Sequence, residues 1–221
     1  MTNVLVTGAN RGIGLEFCRQ LQGRGDRVVA VCRESSAELE ALGVRVEPGI
    51  ELTDAASRAD LMGRLENLAL DLVILNAGIL QSMGLADLDA DSVRQQFEVN
   101  ALAPVLLARD LQPLMPQGAK LILMTSRMGS IDDNSSGGSY GYRMSKVALN
   151  MAGRSLSIDL KPFGIAVALL HPGLVRTRMT RFNPSGITPD QSVRGLLQRI
   201  EALTLETTGG FWHANGQLLP W

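Results

Sequence analysis

The chain has 221 residues, 45% hydrophobic and 19% charged, which excludes intrinsic disorder and is long enough to bury a sizeable core. Lys+Arg number 21 and Asp+Glu 22, so there is neither a basic footprint for nucleic acid nor a polybasic membrane anchor. Two cysteines exclude a disulfide framework, and two cysteines with two histidines are a poor stock for a metal site. Met1 to Thr7 is too short for a signal peptide, and no apolar run is long enough to span a bilayer. The expectation is a cytoplasmic protein of one domain, residues 1–221, with Cys18 and Cys32 reduced.

Two periods alternate along the chain. Asn3–Thr7 is an apolar run ending in Gly8, and a helix follows from about Gly12 to Gly23, with Ile13, Phe17 and Leu21 on one face. Arg27–Cys32 reads as a second strand, Ala37–Leu42 as a short helix and Val44–Val46 as a weak third strand. Asp54–Leu68 reads as a helix carrying Leu61 and Leu65, and Leu72–Leu75 as the clearest strand. Asp91–Met115 has the pattern of a long helix with Val93, Phe97 and Asn100, bent at Pro104. Leu121–Thr125 is a fifth strand, and Ser130–Ser139 a polar, glycine-rich loop. Tyr142–Leu160 is a helix with Val147, Met151 and Leu156 inward. Ile165–Leu170 is a sixth strand, Pro189–Leu203 a helix, and Gln217–Leu219 a short seventh strand. Continuously apolar strands alternating with helices predict an α/β, doubly wound parallel sheet covered on both faces. Its ligand crevice then lies at the carboxyl ends of the strands.

Gly8, Asn10, Arg11, Gly12, Ile13 and Gly14 belong to one turn between the first strand and the first helix. Glycines there let the backbone turn tightly and approach a pyrophosphate, and the helix N-terminus supplies N–H donors. The spacing is Gly-x3-Gly-x-Gly rather than the usual dinucleotide fingerprint. At the end of the second strand, where NAD-binding folds place an acid for the ribose 2′-hydroxyl, stands Cys32 followed by Arg33. Arg33 with Arg11 would clamp a 2′-phosphate, since arginine forks match phosphate oxygens. The sequence therefore favours NADP(H), with NAD(H) still open.

Tyr142 and Lys146 lie four apart at the start of a helix and share a face. An unperturbed tyrosine titrates near about 10, and an adjacent ammonium lowers that value toward useful acid–base chemistry. The rival Tyr140 has Met144 at the same spacing, so Tyr142 is the choice. His171, at a strand end before Pro172, reads as a packed histidine; Trp212 and Trp221 read as lining either a pocket or a subunit interface.

Thr7-Gly8-x3-Gly12-x-Gly14, Asn76-Ala77-Gly78, Asn100, Ser126, Tyr142-x3-Lys146 and Pro172-Gly173 resemble, in order and over nearly the whole chain, the short-chain dehydrogenase/reductase family. Residues 126–130 and 138–143 further resemble its C-factor-like branch, named after a cell-contact signalling protein. The resemblance implies a Rossmann-type fold and a catalytic tetrad of Ser126, Tyr142, Lys146 and Asn100. Tyr142 would be the acid or base, and Ser126 would polarise the carbonyl. Lys146 would hold the nicotinamide ribose and lower the Tyr142 pKa, and Asn100 would hold a relay water. Ser126 lies sixteen positions before Tyr142, slightly more than is usual in the family, with the polar loop taking up the excess. The resemblance also places Asn76, Ala77 and Gly78 by the adenosine and ribose. It places Glu51 and Leu52 by the adenine, where the family more often has Asp-Val. Pro172 and Gly173 would border the cofactor, and Val175 and Thr177 would contact the carboxamide.

The implied activity is NADP(H)-dependent hydride transfer to or from a small ketone, aldehyde or secondary alcohol, with residues 178–208 as substrate lid. Pairing through the two long helices implies a homodimer or homotetramer. The C-factor likeness keeps a second function open, a cofactor-binding sensor or signalling protein with little turnover. The intact Tyr142–Lys146 pair argues against that second function.

Overall fold

The computed structural model describes residues 1–221. Its strands are β1 (Asn3–Thr7), β2 (Arg27–Val31), β3 (Arg45–Glu47), β4 (Leu72–Leu75), β5 (Lys120–Met124), β6 (Ala166–His171) and β7 (Gly210–His213). They form one seven-stranded parallel sheet in the order β3-β2-β1-β4-β5-β6-β7. The order reverses direction between β1 and β4, so a crevice opens there at the strands' carboxyl ends. Helices α1 (Gly12–Gly23), α2 (Ala37–Glu40), α3 (Ala55–Arg64), α4 (Ala90–Phe97), α5 (Ala103–Leu111), α6 (Tyr140–Asp159) and α7 (Pro189–Ala202) flank the sheet.

Each strand points alternate side chains to opposite faces, so two cores form. One gathers Leu5, Val73, Leu121, Val167 and Phe211 under α3, α5 and α6. The other gathers Val4, Ile74, Ile122 and Ala168 with Phe17 and Leu21 of α1 and Val193 and Leu196 of α7. Cys18 and Cys32 are free thiols buried in this second core, and burial pushes the Cys18 thiol up to about 12.

Several expectations need correction. The last strand is Gly210–His213, in register with Ala168–His171; Gln217–Leu219 only folds back against it, with Leu219 N donating to Phe211 O at 2.8 Å. The helix expected over 91–115 is interrupted. A π-turn at Glu98–Leu102 separates α4 from α5, closed by Ala103 N on Glu98 O. Pro104 has no N–H for the carbonyl of Asn100 four residues back, so the ladder is irregular ahead of the proline. Helix α6 starts at Tyr140, and its buried face is Tyr142, Ser145, Lys146, Leu149, Asn150 and Gly153. Met151 is exposed, while Val147 and Leu156 are half-buried. Residues 189–202 of the expected lid are α7, packed in the core, which leaves 178–188 and 203–208 of it outside the helix. No helix is long and apolar enough to cross a membrane.

Candidate active site

The glycine turn is built by close approach. Gly8 has φ +64°, and a Cβ on it would lie 2.9 Å from the Ala77 Cα. A Cβ on Gly14 would lie 2.2 Å from the Gly8 carbonyl oxygen and 2.7 Å from the Asn76 amide nitrogen. Asn76 Nδ2 donates to Thr7 O and Gly8 O, while Thr7 Oγ1 accepts from the N–H groups of Asn76 and Ala77 at 3.0 and 3.1 Å. The ends of β1 and β4 are thereby stitched together. Helix α1 starts behind this turn with no side-chain cap and no acid in its first turn. Its first N–H donors and the positive end of its dipole fit a pyrophosphate, and no carboxylate competes.

On the β2 side, Ser36 Oγ donates to Asn10 O at 2.8 Å, which brings the segment after Arg33 alongside the glycine turn. The Arg33 side chain is exposed and pairs weakly with Glu51, at 3.4 Å. Arg11 is exposed and Leu52 half-buried; the Leu52 carbonyl accepts from Arg58 Nη1. The Ser35 hydroxyl, two residues beyond Arg33, is buried without a hydrogen-bond partner.

On the opposite side, Ser126 follows β5 and begins a short turn over Arg127–Gly129. Its Oγ accepts from Met128 N at 3.1 Å, which leaves the hydroxyl proton free to donate to a bound oxygen. Gly129 runs so close to α6 that a Cβ there would lie 2.7 Å from the Lys146 carbonyl carbon. Asn150 locks this contact: its Nδ2 donates to Gly129 O, and its Oδ1 accepts from Thr125 Oγ1.

Tyr142 is 8% exposed and Lys146 4%. The ammonium lies 5.7 Å from the tyrosine ring centroid and donates to Met124 O at 2.9 Å. Burial pushes the Tyr142 phenol up to about 12, and the facing Ser126 hydroxyl only partly opposes this. Burial also lowers Lys146 to about 8. The phenol is therefore raised rather than lowered as expected: burial dominates, and the opposing group is Ser126, not Lys146.

Asn100 is fully buried, and both N–H groups of its amide are used. Oδ1 accepts from Ile79 N at 2.8 Å; Nδ2 donates to Ile79 O at 2.8 Å and to Ser145 Oγ at 3.0 Å. Ser145 Oγ in turn donates to Tyr142 O at 2.8 Å. In this structure the Asn100 side chain clamps the Gly78–Ile79 segment to α6. Ser145 and Asn150 escaped the sequence reading. Their signal is polarity on the one face of α6 that also carries Tyr142 and Lys146.

The third wall follows β6. Ser192 Oγ of α7 donates to Pro172 O, and Gly173 turns with φ +84°. Val175 is buried and bridges to Ile187, while Thr177 abuts the glycine turn: its Cγ2 lies 3.5 Å from where a Gly12 Cβ would sit. His171 packs edge-on against His213, 4.9 Å between centroids, and burial with His213 and Arg127 lowers it to about 3. It is a neutral, packed imidazole. A hollow of about 440 Å³ lies at the other end of the strands, among Asn3, Asp26, Arg27 and Leu68, away from this chemistry.

A doubly wound sheet with a glycine turn at its switch point and a Tyr–Lys pair beside it defines a nucleotide-binding oxidoreductase fold. The family model for short chain dehydrogenase matches residues 2–187. The chain belongs to the short-chain dehydrogenase/reductase family of oxidoreductases. It is 43% identical over 226 residues, covering all of both chains, to the 1-hydroxy-2-glutathionyl-2-methyl-3-butene dehydrogenase of Rhodococcus sp. (strain AD45). It is 44% identical over 154 residues to the C-signal protein of Myxococcus xanthus, covering 68% of this chain and 92% of that one. Among solved structures it is similar to the NADPH-bound carbonyl reductase from chicken fatty liver, with a TM-score of 0.90 and 31% identity over 100% of this chain and 99% of that one.

Proposed function

We propose that the chain is an NADP(H)-dependent oxidoreductase that interconverts a small ketone or aldehyde with its alcohol. The observation that carries this reading is the buried Tyr142, with the Ser126 hydroxyl facing it and Lys146 one turn along α6. NADPH, when bound, supplies the hydride to the carbonyl carbon and is oxidised. Ser126 donates a hydrogen bond to the carbonyl oxygen and so favours negative charge there. Tyr142 gives its phenolic proton to that oxygen, or takes one from the alcohol in the reverse direction. Lys146 holds the nicotinamide ribose, and Asn100 acts as a positioning residue through Ile79 and Ser145. The uncapped start of α1 takes the pyrophosphate, with Gly8, Asn10, Gly12, Ile13 and Gly14 around it. Asn76, Ala77, Gly78, Glu51 and Leu52 border the adenosine, and Pro172, Gly173, Val175 and Thr177 the nicotinamide. The relatives' names support the reaction class, one as a dehydrogenase and one as an NADPH-bound carbonyl reductase.

The NADP(H) preference rests on Arg33 and Arg11. Titration with NADPH and NADH, followed by energy transfer from Trp212 and Trp221, is expected to show tighter NADPH binding. Arg33→Ala should lose that preference by about tenfold, the worth of one charge-assisted hydrogen bond. Equal affinity for both cofactors in the wild type removes the arginine argument and leaves the hydride-transfer reading standing.

The likeness to C-signal favours a second reading, cofactor binding in the service of signalling. Tight NADPH binding with no hydride transfer across a broad carbonyl panel would select it. The domain is taken as one unit, residues 1–221, working in the cytoplasm as a homodimer or homotetramer. Support for pairing comes from Met144, Met151 and Ile158, one exposed apolar stripe along α6, beside exposed Phe97 and Leu102. Light scattering should give at least twice the 23.8 kDa monomer mass; a monomer at working concentration refutes pairing.

A further inference from the structure

The segment between β6 and α7 carries charge that the rest of the fold leaves unanswered. Residues 172–189 include Arg176, Arg178 and Arg181 and no aspartate or glutamate. All three arginines are exposed, and none of their guanidinium groups is hydrogen-bonded or ion-paired. The next acid along the chain, Asp190, is already taken by Arg194. On α3 the arginines are answered: Arg58 pairs with Asp110, and Arg64 with Asp60 and Glu47.

This charge sits at the crevice. Thr177 touches the glycine turn, so its neighbours Arg176 and Arg178 stand at the rim, and a tight turn closed by Arg181 N on Arg178 O at 3.1 Å keeps Arg181 beside them. Across from them, Arg143 directly follows Tyr142 and is bonded only to neutral oxygens: Gly137 O, Gly138 O, Met128 O and Ser136 Oγ. Its charge is unmatched as well. A rim of one sign around a low-dielectric cleft concentrates ligands of the opposite sign. Around the arginines the segment exposes Leu174, Met179 and Phe182. The display is held in place: Phe182 N donates to Thr177 O at 2.8 Å and Thr180 Oγ1 to Thr177 O at 3.1 Å. Arg181 and Phe182 both adopt left-handed backbone, φ 50° and 53°, a region that disfavours side chains. The chain accepts this conformation at two neighbouring residues with long or bulky side chains.

We propose that the substrate is a carboxylate-bearing carbonyl compound or alcohol with an apolar body, whose reacting carbon lies at Tyr142 and whose carboxylate is taken by Arg178 and Arg181. The inference rests on the reading of the site as an oxidoreductase centre and adds the substrate's charge. The other anion in reach is a cofactor phosphate, and the cofactor side has its own arginines, Arg11 and Arg33.

The test compares 4-carboxybenzaldehyde with its methyl ester, methyl 4-formylbenzoate, as substrates of the full chain with NADPH. The acid is expected to have a kcat/KM about tenfold above the ester, since a charge-assisted bond is worth roughly that factor. Added salt should narrow the gap severalfold. The double variant Arg178→Gln, Arg181→Asn should lower the acid's kcat/KM about tenfold and leave the ester's value and the NADPH KM unchanged. Asparagine is chosen at 181 because it tolerates left-handed backbone. An acid-to-ester ratio that neither salt nor the variant alters overturns the proposal. So does a raised NADPH KM with the ratio intact, which assigns the arginines to the cofactor. If neither aldehyde turns over, the reaction reading fails for this class. The anion site is then decided by calorimetry with terephthalate, a dianion with no aldehyde or ketone to reduce, on the NADP⁺-loaded protein. Binding that weakens about tenfold in the variant supports the site; no binding overturns it.

Discussion

Tyr142→Phe is expected to cut turnover by about 10²–10⁴-fold while NADPH affinity and thermal stability stay close to wild type. The change removes one oxygen from a side chain that is 8% exposed, and the ring keeps its place on α6 beside Lys146. In the proposed reaction the lost atom is the one that exchanges a proton with the alcohol oxygen while Ser126 holds that oxygen. Its pKa, pushed up to about 12 by burial, keeps the phenol protonated through the neutral range. A protonated phenol suits carbonyl reduction, so the reductive rate should be flat across roughly pH 6 to 8. Alcohol oxidation needs the phenolate, and its rate should climb close to tenfold per pH unit over the same range. Steady-state kinetics on one carbonyl–alcohol pair in both directions, with unfolding curves for both proteins, check all of this. Full turnover in the phenylalanine variant would remove Tyr142 from the chemistry.

The strands were legible because a parallel sheet covered on both faces needs runs with no polar interruption, and Leu72–Leu75 and Leu121–Met124 supply them. The glycine turn was legible for a steric reason: at Gly8 and Gly14 no other side chain fits. The α6 face was misread because apolar periodicity is a guide only where the buried face is apolar. Here that face carries Tyr142, Ser145, Lys146 and Asn150, and Gly153 lets the helix close onto Leu123 and Leu169, whose methyl groups would lie 2.7 Å from an added Cβ. Met151 was assigned inward by pattern, yet it belongs to the exposed stripe with Met144 and Ile158. Asn100 was named by the family resemblance, but its side-chain partners were not legible. Its reach to Ile79 and Ser145 depends on a π-turn that only the assembled packing of α4 and α5 against α6 defines. For β7, four residues rich in glycine and aromatics gave no alternation, and pairing with β6 alone fixes their register.

Lys146→Met is expected to make the protein more stable and close to inactive. Lys146 is 4% exposed, and its ammonium has a single neutral partner, the Met124 carbonyl. Burial lowers its pKa from 10.5 to about 8, so the folded state binds this proton less tightly than the unfolded chain. Below about pH 8 both states are protonated, and the fold bears the whole penalty, roughly 3 kcal/mol at about 1.4 kcal/mol per pKa unit. Between 8 and 10.5 the folded state has released the proton while the unfolded state keeps it, so this contribution to stability rises with pH. Methionine fills a similar volume, removes the penalty and forfeits the charge-assisted bond to Met124, worth about 1.5 kcal/mol. The net gain of roughly 1.5 kcal/mol should raise Tm at pH 7 by about 3–6 °C. The advantage of the variant should shrink as pH rises through 8 to 10.5, because the wild type sheds its buried charge over that window. Turnover should fall by about 10²-fold or more, in the manner of a site held at the expense of stability. Denaturant melts of both proteins at several pH values measure the gap. A variant less stable than wild type at pH 7, or a gap that widens with pH, would show that the ammonium is held by more than the Met124 carbonyl.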